Sequence, residues 1–187
     1  MGFPKALLRY RHQYLLERLV QMHRQIALQV FVILGEDHDQ IVRALDLGGV
    51  TVLRNPEPQR GPLSSLWTAL PWLDGSSGIL VHPVDHGLVS RQTIQDLRDL
   101  HSRSPRKIII PQFQGEKGHP VIFPARFYPR LRRAPLQEGA RWVVRNHTQD
   151  VVYALVEDAT ILCNLNRPED LPTGVTIPST TSFKASQ

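Results

Sequence analysis

The 187-residue chain has a single cysteine, Cys163, few aromatic residues (7%) and no apolar run close to the length of a membrane span. One cysteine excludes a disulfide framework and any cysteine-based zinc site. A spanning helix needs about 20 predominantly apolar residues. Residues 1–30 carry Arg and Gln through their apolar stretches, so no signal-peptide core is present and the expected location is cytoplasmic. The shortage of aromatics also bears on nucleic acids. The formal charge is +5, from 22 Lys and Arg against 17 Asp and Glu. Those cations are scattered, as Arg9, Arg11, Arg18 and Arg24, then Arg103, Arg106 and Lys107, then Arg126, Arg130, Arg132 and Arg133. A nucleic-acid face concentrates such charge and interleaves it with stacking rings. The expectation is therefore no nucleic acid and no membrane partner, but a site for small phosphorylated ligands beside a solvated Arg-rich surface.

What is present is a core. Hydrophobic residues make up 41%, too many for a disordered chain, and the length suits one domain. Short β-branched runs alternate with amphipathic stretches. Residues 13–24 place Leu15, Leu16, Leu19, Val20 and Met22 at helical spacing, and Val30–Leu34 is a strand ended by Gly35. A short helix over Ile41, Val42, Ala44 and Leu45 opens with the acidic residues Glu36, Asp37 and Asp39, read as a charged helix start. Val50–Leu53 is a strand broken by Asn55-Pro56. Residues 62–73 are helical up to Pro71, and Gly78–His82 is a strand running into Pro83-Val84-Asp85-His86-Gly87. Ser90 caps a helix through His101. Lys107–Ile110 is a strand closed by Pro111, with a polar loop at 114–117 before the strand Val121–Phe123. Helices near 124–133 and 139–146 lead to strands at 151–156 and 160–163. This alternation predicts an α/β domain over residues 1–171, with a mainly parallel sheet covered by helices on both faces. Residues 172–187, rich in Pro, Thr and Ser, are expected to form a tail.

Folds of this class open with a strand whose C-terminal turn supplies a Gly-rich phosphate loop. Here Met1-Gly2-Phe3-Pro4-Lys5-Ala6-Leu7-Leu8 leads almost directly into a helix. Gly2 to Leu8 resembles the G-x-P-K-x-L-L that follows the Gly-rich loop in MobA-like nucleotidyltransferases, most closely the molybdenum cofactor cytidylyltransferase branch. Further matches fall in order. Asn55-Pro56 through Gly61 to Ser64-Ser65-Leu66 is similar to the family's N-P…G…S-L segment, and Pro83-Val84-Asp85 to its P-x-D. Gly118-His119-Pro120-Val121-Ile122-Phe123 resembles the G-H-P-V-L-F of the cofactor-modifying branch. Gly139-Ala140-Arg141 resembles its G-A-R, and residues 164–171 resemble its D-I-D-T-P-E-D-L. The resemblance implies a Rossmann-like three-layer fold, here without the opening strand and loop, and Met1-Gly2 coincides with an internal Met-Gly of the pattern, which implies an earlier native start.

The residues themselves support two readings each. Asp85 follows a strand, at the ligand edge of a doubly wound sheet, where a carboxylate holds Mg²⁺ between phosphates; by pattern alone it caps the turn before Gly87. Asn164 and Asn166 stand where the family has Asp. An Asn carbonyl still binds a hard cation, with less charge, or else caps the turn at Pro168-Glu169-Asp170. Of the two, Asn166 is the candidate ligand. Lys5 is a point charge for a triphosphate, or a solvated terminal lysine. Gly61 and Ser65 begin a helix, plainly or against a nucleobase; Gly61-Pro62-Leu63 also resembles the guanylyltransferase branch. Gly118, His119 and Pro120 lie in a loop, which the resemblance places at the acceptor pocket. His82 is read as structural, and no role is assigned to His86.

The activity implied by the resemblance is transfer of CMP, or another nucleoside monophosphate, from a nucleoside triphosphate to a phosphorylated acceptor of the molybdopterin type. Pyrophosphate is released, Mg²⁺ is the cofactor, CTP is the favoured nucleotide, and a molybdoenzyme or its chaperone is a further partner. No Ser-His-Asp or Cys-His signature accompanies it, in keeping with chemistry that rests on positioning and charge neutralisation. The alternative is a binding protein that keeps the fold without turnover, favoured by the two asparagines.

Overall fold

The computed structural model describes residues 3–178. The chain begins with a 3₁₀ turn, Lys5–Leu7, followed by a hairpin of β1 (Arg9–Tyr10) and β2 (Gln13–Tyr14) that runs into α1 (Leu15–Arg24). Then come β3 (Phe31–Leu34), α2 (His38–Ala44), β4 (Thr51–Arg54), α3 (Pro62–Ala69) and β5 (Gly78–Val81). A 3₁₀ turn, Val84–His86, separates β5 from α4 (Arg91–Arg103). The second half holds β6 (Ile108–Phe113), β7 (Glu116–Lys117), β8 (Val121–Pro124), α5 (Tyr128–Arg133), α6 (Arg141–Asn146), β9 (Val151–Leu155) and β10 (Val175–Thr176).

β3 and β4 pair in parallel, as do β6 and β9. β8 pairs antiparallel with both β5 and β6, so β5, β6 and β9 all point the same way and β8 is the reversed strand between them. The α/β architecture expected from the alternation is the one observed. Among the described residues no strand bridges β3 and β5: the first pairs only with β4 and the second only with β8. Side chains close that interruption. Phe31 of β3 and Ile79 and Val81 of β5 pack against one core cluster built on Leu63, Leu66, Phe123 and Phe127. The other face of β3 gives Val32 and Leu34 to a cluster with Leu7, Leu16 and Ile41.

Several elements differ from the sequence expectation, each for a local reason. Pro111 does not close its strand, because β6 runs through it to Phe113. Its missing N–H falls where β8 has diverged, next to the site at which its carbonyl accepts Gly118 N–H at 3.0 Å, so no ladder bond is lost. The polar loop at 114–117 is a tight hairpin into β7, with Gln114 and Gly115 both at positive φ (49° and 88°), as a two-residue turn between twisted strands requires. Residues 160–163 are not a strand. Ala159–Leu162 is a 3₁₀ turn, opened by the Asp158 carboxylate accepting Thr160 N–H. The expected tail begins as structure: β10 pairs antiparallel with β1, burying Val175 in a cluster with Leu8, Leu15 and Leu165. Residues 179–187 lie outside the described part.

Candidate functional site

Three side chains from distant parts of the chain converge on one point. Lys5 Nζ donates to Asp85 Oδ2 at 3.1 Å, across 80 residues, and to Asn166 Oδ1, across 161. Lys5 is held by its neighbours: Ala6, Leu7 and Leu8 are buried, and Leu7 and Leu8 N–H close the turn on Pro4 and Lys5 carbonyls. Asp85 sits on the 3₁₀ turn that follows β5, and its own backbone carbonyl accepts Leu165 N–H at 3.0 Å. That bond ties the 83–90 segment to the 158–167 segment and delivers Asn166 beside Asp85. Asn164 contributes its backbone carbonyl to Asn166 N–H.

Both segments are laced from behind. Arg18 of α1 donates to Gly87 O at 2.6 Å and Val89 O at 3.1 Å, fixing the exit of the Asp85 turn. Its burial lowers its pKa, with the nearby Tyr10 and Asp158 opposing that shift. The Asp158 carboxylate accepts from Ser90 N–H, Thr93 hydroxyl, Thr160 N–H and Thr160 hydroxyl. Burial pushes Asp158 upward, and those hydrogen bonds outweigh it, leaving the carboxyl below its ordinary value. With its oxygens so occupied, Asp158 is a structural carboxylate.

Gly118, His119 and Pro120 lie against the 159–162 turn. A Cβ on Gly118 would stand 2.4 Å from Ile161 O, so only glycine permits this approach. The same carbonyl accepts His119 N–H at 3.1 Å, and the His119-Pro120 peptide is cis. The His119 ring lies 4.5 Å from that of His86, tilted by 42°. Burial, and then His86, lower the His119 pKa to about 4, with Asp85 opposing; burial also lowers His86. Both imidazoles are neutral at pH 7, and both Nδ1 atoms are buried without a partner among the described residues. His86, with no role in the sequence reading, is thus the ring that joins the 118–120 loop to the Asp85 turn. Only its position next to Asp85 could have signalled this.

Gly61 and Ser65 form a separate group at the start of α3. Gly61 has φ +82° with open space around its Cβ position, so its glycine serves the backbone conformation. Buried Asn55 organises the loop, donating to Ser64 Oγ at 2.8 Å and Ser65 Oγ at 3.1 Å while its own carbonyl accepts Glu57 N–H. Ser64 spends its proton on Gly61 or Glu57 carbonyls, whereas the Ser65 hydroxyl accepts from Asn55 and, among the described residues, has no acceptor for its own proton. Asp37, His38 and Asp39 do not form a metal cluster. Asp39 pairs with Arg54 and His38, and the hydrogen bond from Arg54 is the main cause of its pKa of about 2. A concavity of about 400 Å³ lined by Arg24, Leu28, Val30, Gly49 and Thr51 lies at the opposite end of β3 and β4, at the strands' N-termini.

The oxygens of Asp85 and Asn166, both aimed at one cation, are hard donors of the kind that hold Mg²⁺ or Mn²⁺. Among the described residues no three His, Cys, Asp or Glu side chains are grouped to hold a metal unaided. Metal there would complete its shell with a ligand's oxygens or water.

The MobA-like NTP transferase domain matches residues 1–151. The molybdenum cofactor cytidylyltransferase of Escherichia coli (strain K12) is 23% identical over 179 residues, covering 92% of this chain and 88% of that protein. The crystal structure of Rv0371c from Mycobacterium tuberculosis is similar with a TM-score of 0.78 at 24% identity, covering 91% of this chain and 88% of that one. A complex of that protein with manganese gives a TM-score of 0.70 at 25% identity, covering 83% of each chain.

Proposed function

The chain belongs to the MobA-like NTP transferase family, and from that premise we propose that it transfers a nucleoside monophosphate, CMP by preference, to a phosphorylated acceptor of the molybdopterin type. The observation that carries this reading is the convergence of Lys5, Asp85 and Asn166 just beyond the C-terminal end of β5. Strand C-termini are where open α/β sheets take their ligands.

A terminal phosphate oxygen of the acceptor attacks the α-phosphorus of the nucleoside triphosphate. The bond from that phosphorus to the bridging oxygen breaks, and pyrophosphate leaves with the electron pair. Asp85 and Asn166 would hold Mg²⁺, as a similar protein takes manganese; bound there, the ion supplies charge neutralisation for the triphosphate and the departing pyrophosphate. Lys5 adds a compact positive charge to the same phosphates. Ser65 donates its free hydroxyl proton to a base edge, and Gly61 lets the backbone approach. Neutral His119 with Gly118 and Pro120 lines the acceptor side, with His86 behind it. No helix among the described residues is long and apolar enough to cross a membrane.

The test is pyrophosphate release on incubation with each nucleoside triphosphate, Mg²⁺ and a molybdopterin-type acceptor. CTP-dependent release supports the proposal. A second reading, binding without turnover, is favoured by one observation: Asn166 is neutral where it meets Lys5. Nucleotide binding with no pyrophosphate from any triphosphate would establish that reading instead.

A further inference from the structure

The only cation between Asp85 and Asn166, among the described residues, is the ammonium of Lys5. One carboxylate and one ammonium cancel, and the carboxamide adds no charge, so the trio is neutral as it stands. We propose that Lys5 fills the position a divalent cation takes, so that metal enters only when a phosphate chain draws Lys5 away. The proposal rests on the nucleotidyl-transfer reading above and concerns the order in which that site fills.

Three observations carry it. First, the two oxygen donors point at one atom, Lys5 Nζ, rather than at each other or at separate partners. A lysine head is a point charge with three donors, able to satisfy both oxygens at once as a metal would. Second, the backbone of Lys5 is fixed by buried Ala6, Leu7 and Leu8, whereas its side chain is 27% exposed and that of Asp85 24%. The stem can swing while its root stays, and water still reaches both charges, so the ammonium has room to exchange one anionic partner for another. Third, the two charges have complementary destinations. A triphosphate offers Lys5 more negative charge than one carboxylate, and the oxygens that Lys5 leaves would then be free to hold a divalent metal. With aspartate at 166 the trio would keep a net negative charge, and a lysine could not neutralise it. The asparagine is what makes Lys5 a sufficient stand-in.

The experiment reads Mn²⁺ alone, without nucleotide, by electron paramagnetic resonance of the free ion against the full chain. Wild type, Lys5→Gln, Lys5→Met and Lys5→Arg are compared after thermal melts confirm folding. The neutral variants are expected to bind Mn²⁺ about tenfold tighter than wild type, equivalent to about 1.4 kcal/mol, whereas Lys5→Arg stays as weak as wild type. Two neutral variants guard against loss of fold in either one. Mn²⁺ binding no tighter in the neutral variants than in wild type overturns the proposal. Because no turnover is read, a failure of pyrophosphate release would sink the transferase reading and leave this result standing, and the reverse also holds.

Discussion

His23 Nε2 and His82 Nδ1 lie 2.9 Å apart, joining α1 to the residue that follows β5. The tautomers follow from the next contact. His82 Nε2 meets the backbone carbonyl of His86 at 3.0 Å, and a carbonyl only accepts, so His82 carries its proton on Nε2 and takes the His23 proton on Nδ1. His82 must be neutral for this chain of bonds to hold, because its Nδ1 has to accept, while His23 only donates. Burial lowers His23 to about 4, and burial with the His23 neighbour lowers His82 to about 3.

The chain is therefore expected to lose stability in mild acid. Above pH 6.5 both rings are neutral whether the protein is folded or not, and they contribute no pH dependence. As pH falls from 6.5 towards 4, the unfolded chain takes up protons that the folded one refuses, so the unfolded state gains. Each histidine then lowers the unfolding free energy by up to about 1.4 kcal/mol per pH unit. Urea unfolding at pH 7, 6 and 5 reads the slope. A flat profile would show that the two rings are charged or exposed in the folded protein.

Asp85→Ala is expected to abolish metal-dependent nucleotide binding with little change in fold. The side chain is partly buried and its carboxylate meets Lys5 rather than a core group, so the substitution removes one ion pair and no core packing. Calorimetric titration of CTP with and without Mg²⁺, beside a thermal melt, separates the two effects. Equal Mg²⁺-dependent affinity in variant and wild type would remove Asp85 from the site.

Asn166→Asp is expected to tighten Mg²⁺ binding, since it places a second carboxylate beside Asp85 at the point where both face Lys5. Mg²⁺ sites built on protein draw on about one or two carboxylates. Should Mg²⁺ titration give the same affinity for both proteins, residue 166 serves the 168–170 turn and the metal is held elsewhere.

Gly118→Ala tests the contact that seats the 118–120 loop against the 159–162 turn. Its Cβ would lie 2.4 Å from Ile161 O and 2.7 Å from Ile161 Cβ, and backbone cannot yield as a flexible side chain does. Overpacking of this kind costs about 1–3 kcal/mol. At about 2–4 °C per kcal/mol for a chain of this size, the melting temperature should fall measurably. An unchanged melt would mean that the 159–162 turn moves freely away from the loop.

The sequence disclosed the helices and most strands because their signals are local. Ser90 as the cap of α4, with Thr93 N–H on its hydroxyl at 3.1 Å, is legible from residue type and spacing alone. Lys5, Asp85 and Asn166 were legible as candidates, but their meeting was not, since no local pattern links positions 80 and 161 residues apart. The misread segments share a cause. At 160–163 an apolar run hid a turn whose determinant, Asp158, lies just upstream. At 111 a proline stayed in its strand because neighbouring ladders happened to part there. β1, β2 and β10 are two residues each, too short to show alternation. Arg18 and His86 were missed because their partners are backbone carbonyls and a ring brought near only by folding.

Hydrogen exchange should resolve the two edges of β3. Thr51 N–H bonds to Val30 O and Asn55 N–H to Leu34 O, so the even-numbered residues of β3 face β4. In a parallel ladder one residue sends both its N–H and its carbonyl to the same neighbour, and the next sends both the other way. Val32 and Leu34 amides therefore bond to β4, while those of Phe31 and Ile33 point towards the side where no strand is paired among the described residues. An amide without a partner exchanges through local motion, whereas one in a packed ladder waits for a larger opening. The expected result is strong protection at Val32 and Leu34, and at Ile109 and Ile110 inside the β6 ladders, with much weaker protection at Phe31 and Ile33. Each tenfold difference in exchange corresponds to about 1.4 kcal/mol of opening free energy. The comparison is internal to one strand, so a globally unstable protein cannot mimic it: alternation with period two arises only if one edge is paired and the other is not. Equal protection at all four β3 positions would mean that the far edge of β3 is hydrogen-bonded, and that the sheet is continuous where its strands are here seen to part.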